Sequence, residues 1–221
     1  MHSPTEAANI AESRFPAEEA EPKIFVIDDD ESVRAALDSL FRAAGLKAEC
    51  FTSTEEFRRR ARVAGPVCLV LDVRMPEQSG LEFQHELAAQ AVEIPIVFIT
   101  GHGNIPMSVN AMKGGAIEFL TKPFNARDLI EAIRRGLEQD AARRRKAQVL
   151  DRVRRRFQAM TERQREVMSF VVSGLLNKQI AARLNISEIA VKVHRRKVMR
   201  KMGADSLVDL VRIADSLSSP R

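Results

Sequence analysis

Five short apolar runs, each followed by a stretch of helical spacing, constrain the N-terminal part of this chain more than any other feature. The first is KIFVID at Lys23–Asp28; the second, weaker, is Lys47–Thr52. VCLVLD at Val67–Asp72, IPIVFIT at Ile94–Thr100 and Ala116–Leu120 complete the set. Between them, Glu31–Ala44 carries apolar residues at helical intervals (Val33, Leu37, Leu40, Phe41), with Gly45 as a stop. Ser53 with Glu56 three residues on predicts a capping box that opens a second helix. Ser79–Gln90, Asn104–Lys113 and the stretch from Asn125 onward are also predicted helical. Strands that are apolar on both faces and joined by short helical connections form parallel sheets covered on each side. The expected class is α/β, a (βα)5 doubly wound parallel sheet. In such sheets ligands bind outside the carboxyl ends of the strands, so the polar residues there are the candidates for chemistry.

Those residues form an ordered set. Asp28 and Asp29 close the first run, Asp72 the third and Thr100 the fourth, and Lys122 follows the fifth. Three carboxylates at one sheet edge repel one another unless a cation lies between them. Mg²⁺ suits the place, because it takes oxygen ligands and keeps several waters. A carboxylate, Mg²⁺, a hydroxyl and a lysine together make a site for accepting a phosphoryl group, where catalysis is positioning plus charge neutralisation. Asp30 is expected only to cap the helix at Glu31, and His102 to decorate a surface loop.

The C-terminal part is of a different kind. Residues 1–137 carry 15 Lys+Arg against 21 Asp+Glu, a balance of −6, whereas residues 138–221 carry 20 against 9, a balance of +11. The basic part is expected to meet a polyanion. The helix from Asn125 has no clear stop, so residues 138–157 read as a helical linker, with apolar spacing compatible with a short coiled coil. From residue 158 to 221 the expectation is an all-α four-helix domain. Thr161 and Gln164 form a capping box, Gly174 ends the first helix, and Asn177 opens a short second one. Asn185 suits a left-handed turn and Ser187 caps a third helix, SEIAVKVHRRKVMRKM. Two helices joined so closely have the spacing of a helix-turn-helix. In the third helix Val191, His194, Val198 and Met202 should pack inward. Lys192, Val193, Arg196 and Arg200 then face outward with groups that suit the major groove. Arg195, Lys197, Lys178 and the cap at Ser187 suit phosphates.

Composition excludes other classes. No apolar run approaches 18 residues, so no membrane helix or membrane partner is expected. Residues 1–22 lack the apolar core of a signal peptide and read as a disordered leader. Cys50 and Cys68, the only cysteines, are expected as buried free thiols of a reducing, cytoplasmic compartment.

The segments IFVIDDDESVR, LVLDVRMPEQSG, VFITGHG and FLTKPF resemble the receiver domains of two-component response regulators, across residues 23–137. This resemblance implies that Asp72 is the phosphoacceptor. It implies that Asp28, Asp29, Asp72 and the backbone carbonyl of Arg74 hold Mg²⁺, and that Thr100 and Lys122 contact the phosphoryl group. It also makes Phe119 the aromatic switch residue and the Lys122–Pro123 bond cis. Residues 158–214 resemble the LuxR/FixJ-type DNA-binding domain, which implies that Lys192, Val193 and Arg196 take the groove positions. The order of the two resembles the FixJ/NarL type of transcriptional regulator. The implied partners are a histidine kinase as phosphoryl donor and double-stranded promoter DNA, with homodimerisation on phosphorylation. An enzyme is not expected. Asp28-Asp29-Asp30 does contain the D-x-D of Mg²⁺-dependent aspartyl phosphatases, but Asp72 is better placed than Asp28 and no capping domain is evident.

Overall fold

The computed structural model describes residues 21–60 and 64–218. The expected leader, residues 1–22, lies outside these but for Glu21 and Pro22. The chain divides into two compact units, Met1–Arg144 and Arg145–Arg221.

In the first unit, strands β1 (Lys23–Ile27), β2 (Ala48–Phe51), β3 (Val67–Asp72), β4 (Ile96–Thr100) and β5 (Glu118–Thr121) alternate with helices. These are α1 (Glu31–Ala43), α2 (Thr54–Arg58), α3 (Gly80–Ala89), α4 (Ile105–Lys113) and α5 (Ala126–Gln158). The sheet is wholly parallel with order β2-β1-β3-β4-β5. Successive side chains of a strand point to opposite faces, and this splits the core in two. Phe25, Ile27, Leu69, Leu71 and Phe98 meet Phe57, Phe83 and Met107 from α2, α3 and α4. Ile24, Val26, Val70, Val97 and Ile99 meet Leu37 and Phe41 of α1 and Leu129 and Ile133 of α5. The fourth run begins pairing at Ile96 rather than Ile94. Pro95 has no N–H for the ladder, although its carbonyl accepts from the Leu69 N–H at 2.9 Å.

The order places β1 beside β3 with connections leaving in opposite directions, so the chain opens a crevice at their carboxyl ends. Asp28 follows β1 and Asp72 ends β3. The start of α3 lies hard against that edge. A Cβ on Gly80 would stand 2.3 Å from the Asp72 carbonyl oxygen, so only glycine fits this approach.

The second unit holds the end of α5 and the helices α6 (Glu162–Val172), α7 (Asn177–Leu184), α8 (Glu188–Met202) and α9 (Leu207–Ser218). Val167, Met168, Val171, Ile180, Val191, Val198, Met202 and Leu210 form its core, with Val153 and Phe157 of α5 packed against it. The Thr161–Gln164 capping box is present in both halves, and Asn185 takes the left-handed conformation at φ 50° between α7 and α8. No described helix is long and apolar enough to cross a membrane.

Candidate functional site

The carboxyl edge of the sheet gathers Asp28, Asp72 and Lys122 into contact. The Lys122 ammonium donates to Asp28 Oδ2 at 2.7 Å and to Asp72 Oδ1 at 3.2 Å. Both aspartates are buried, at 1% and 5% exposure, which is unusual for acids and requires such pairing. Lys122 is held in turn by its backbone, whose N–H donates to the Thr100 carbonyl at 2.7 Å. The Lys122–Pro123 bond that follows is cis. The second oxygen of Asp72 accepts the Arg74 N–H at 2.8 Å, and Asp28 Oδ1 accepts the Asp30 N–H at 2.9 Å.

The charge balance is uneven. Two buried carboxylates share one ammonium, which leaves a net negative charge inside the edge. Burial raises the Asp72 pKa against the opposing pull of Lys122. Burial alone would lower the Lys122 pKa, but the hydrogen bond and charge of Asp28 and the charge of Asp72 outweigh it, and the ammonium is held above its ordinary value.

The structure places the other candidates as follows. Asp29 is exposed and lines a cleft of about 230 Å³ with Thr52, Thr54, Met75, Glu77 and Gln78; it does not join the Asp28–Lys122–Asp72 cluster. Among the described residues no three acid, histidine or cysteine side chains converge as a finished metal cluster. The ammonium lies where two of the acids meet. Thr100 is fully buried at the end of β4, its hydroxyl oxygen accepting the His102 N–H at 3.3 Å. Phe119 is half-buried, its ring tilted against Phe98 at 6.3 Å between centroids. Asp30 caps α1 through the Ser32 and Val33 N–H groups, and the Ser32 hydroxyl bonded to it holds its pKa below the usual carboxylate range. Cys50 and Cys68 are free, Cys68 buried and Cys50 half-buried, and burial pushes the Cys68 thiol up to about 12.

Sequence reasoning missed Asp140. This acid of α5 is fully buried and accepts the N–H of Val67, the first residue of β3, at 2.9 Å. Arg144 Nε donates to it at 2.6 Å, and Arg143 also pairs with it. An acid followed by arginines at i+3 and i+4 was the available sign. Its partner at the foot of β3, 73 residues away, had none.

The second candidate surface is α8. Val191, Val198 and Met202 are buried and His194 is half-buried, its Nδ1 enclosed without a partner among the described residues. Lys192, Val193, Arg196, Lys197 and Arg200 are exposed, as is Lys178 on α7. Ser187 caps α8 by accepting the Ala190 N–H at 3.1 Å. Arg195 turns aside from the outward face: it is half-buried and donates to the Asn177 side chain at 2.9 Å, tying α8 to the start of α7.

Comparison with known proteins assigns a family to each part of the chain. Residues 24–134 match the family described as "Response regulator receiver domain", and residues 158–214 match "Bacterial regulatory proteins, luxR family". The chain is 46% identical over 194 residues to "Nodulation protein W" of Bradyrhizobium diazoefficiens, covering 88% of this chain and 86% of that protein. It is 45% identical over 194 residues to "Response regulator protein TodT" of Pseudomonas putida, with the same coverage. It is 42% identical over 191 residues to "Transcriptional regulatory protein FixJ" of Rhizobium meliloti, covering 86% of this chain and 94% of that one. Among solved structures, the response regulator StyR matches with a TM-score of 0.81 and 47% identity, over 89% of this chain and 99% of that chain. Full-length FixJ from B. japonicum matches with a TM-score of 0.53 and 36% identity, over 90% and 98%. The two families are matched one after the other along this chain, its relatives align with it over most of their own length, and the chain belongs to the FixJ/NarL-type two-component response regulators, transcriptional regulators that bind DNA and are not enzymes.

Proposed function

We propose that Asp72 is the residue through which this regulator is switched, accepting a phosphoryl group from a partner histidine kinase. The observation that carries this reading is the Lys122 ammonium shared between the buried carboxylates of Asp28 and Asp72. It fixes one nucleophilic carboxylate beside a permanent positive charge at the mouth of the crevice. Burial makes Asp72 more basic than a surface aspartate, and so a better nucleophile when ionised. In the transfer, a carboxylate oxygen of Asp72 bonds to phosphorus while the P–N bond of the kinase phosphohistidine breaks. Lys122 and the Thr100 hydroxyl are the donors at hand for the incoming oxygens.

The donor set fits Mg²⁺. It is all oxygen, and the paired acids carry one negative charge more than Lys122 balances. Asp28, Asp29, Asp72 and the carbonyl of Arg74 would hold the ion, which would neutralise the charge of the phosphoryl oxygens. Phosphorylation adds roughly two negative charges at the sheet edge, which favours an inward Thr100 and a deeper Phe119.

Residues 23–137 then act as the receiver, 138–157 as the link and 158–221 as the DNA-binding domain, within the cytoplasm. Phosphorylated chains pair as homodimers, so that two copies of α8 meet a two-fold promoter site. Lys192, Val193 and Arg196 enter the groove, while Arg200, Lys197, Lys178 and the α8 start at Ser187 serve the phosphates, and Arg195 holds α8 to the start of α7. Incubation with acetyl phosphate and Mg²⁺, followed by reductive trapping and peptide mass analysis, tests the acceptor. The label is expected on Asp72; a label on Asp28 would overturn the assignment.

A further inference from the structure

The outward stripe of α8 changes character along its length. Ile189, Val193, Arg196 and Arg200 follow one another at intervals of four, three and four residues, so they share one face. The first two are apolar and exposed, Ile189 at 74% and Val193 at 47%. The last two are basic and exposed. The opposite face already fills the domain core with Val191, Val198 and Met202. Ile189 thus contributes little to the fold, and a β-branched residue is not favoured in a helix for its own sake.

We infer that Ile189 is a specificity-determining residue that reads the 5-methyl group of a thymine, next to a second thymine methyl met by Val193. This rests on the DNA-binding reading of α8 and deepens it. In a helix-turn-helix the N-terminal residues of the recognition helix reach the base edges. Here those residues are the apolar half of the stripe. The thymine methyl is the one apolar group that base pairs present in the major groove. Residues four apart on a helix hold their Cβ atoms about 6 Å apart, close enough to serve neighbouring bases as one patch. The charges around the patch name its occupant. Lys192 stands beside Val193, and the exposed Arg196, Lys197 and Arg200 continue the helix beyond it, with Glu188 the one acid next to Ile189; this mainly basic setting suits a groove between phosphate strands and not an apolar protein surface.

Replacing thymine by deoxyuridine removes the methyl group and nothing else. Duplexes selected from a randomised pool by the phosphorylated full-length protein provide the sites, and each thymine is then replaced singly. The parent is expected to lose about fourfold in affinity at each of two neighbouring thymines per half-site, the worth of one buried methyl group. Ile189→Ala should bind uracil and thymine equally at one of these and keep the loss at the other; Val193→Ala should do the reverse. Both variants should keep the parent's salt dependence, which phosphate contacts set. An unchanged uracil profile in Ile189→Ala overturns the inference and leaves the DNA-binding reading intact. A pool in which no sequence is enriched overturns both.

Discussion

At the scale of single residues, Lys122 decides the character of the site. Its ammonium is the positive partner that the hydrogen bonds give to two buried acids. Lys122→Ala should therefore destabilise the receiver by about 2 kcal/mol, somewhat less than the loss of a partner from a fully buried ion pair. Urea denaturation without divalent cations reads this, and saturating Mg²⁺ should recover part of the loss. A variant as stable as its parent would show that the acids do not need the lysine. Asp30 and four glutamates set the loss of stability in acid, against Asp72, whose raised pKa works the other way. Glu49 is held below the ordinary value of 4.5 first by its hydrogen bond from Arg60, and Glu56 by the Thr52 N–H. Glu82 is held low by the Ser79 N–H and Glu86 by Gln78. Lowered pKa values mean that the unfolded chain binds protons first. Their stabilisation is present above the ordinary value and is lost as pH falls through the folded values. The urea midpoint should be flat above about pH 5 and decline below it, and Glu56→Gln should flatten part of that decline. Much of this scale was legible in sequence, because acids, a hydroxyl and a lysine closed successive apolar runs. Which acids would meet Lys122 was not. Asp28 and Asp29 are adjacent in sequence, yet one is buried on the lysine and the other faces the cleft.

At the scale of elements, the long helix α5 is the least legible part. The sequence showed no stop after Asn125, and the helix indeed runs Ala126–Gln158. What fastens it to the sheet was hidden. Gly136 lets the helix backbone approach so closely that a Cβ would lie 2.7 Å from Cys68 Sγ and 3.2 Å from Pro95 Cβ. Four residues on, Asp140 takes the first N–H of β3. Both depend on contacts remote in sequence, which local periodicity does not report. Gly136→Val should cost about 1–3 kcal/mol by overpacking. Asp140→Ala should cost about 2 kcal/mol, since it strands the buried Val67 N–H and removes one ion-pair partner from Arg143 and from Arg144. Limited trypsinolysis should then cut faster within residues 143–146 than in the parent; equal cleavage would mean that Asp140 does not hold this turn. Capping was legible with one amendment. Ser53 accepts the Glu56 N–H as expected, but the Glu56 carboxylate reaches past it to the Thr52 N–H and hydroxyl.

At the scale of the whole molecule, charge divides the labour. The acidic front ends in a site with surplus negative charge, while the +11 balance of residues 138–221 is spread over helices with a basic outer face. If Lys178, Lys197 and Arg200 each neutralise a phosphate, the logarithm of affinity should fall with that of salt with a slope of about −3 per protomer. Arg200→Ala should lessen that slope by about 1 without relaxing sequence preference. The claim that joins the two ends is that a phosphoryl group on Asp72 governs DNA binding. Affinity for a duplex selected from a randomised pool, measured by fluorescence anisotropy with and without acetyl phosphate and Mg²⁺, tests it most directly. The parent should tighten at least about fivefold, the lower range of allosteric coupling, and Asp72→Asn should not respond. A response of Asp72→Asn equal to the parent's, or none in the parent, would contradict the account.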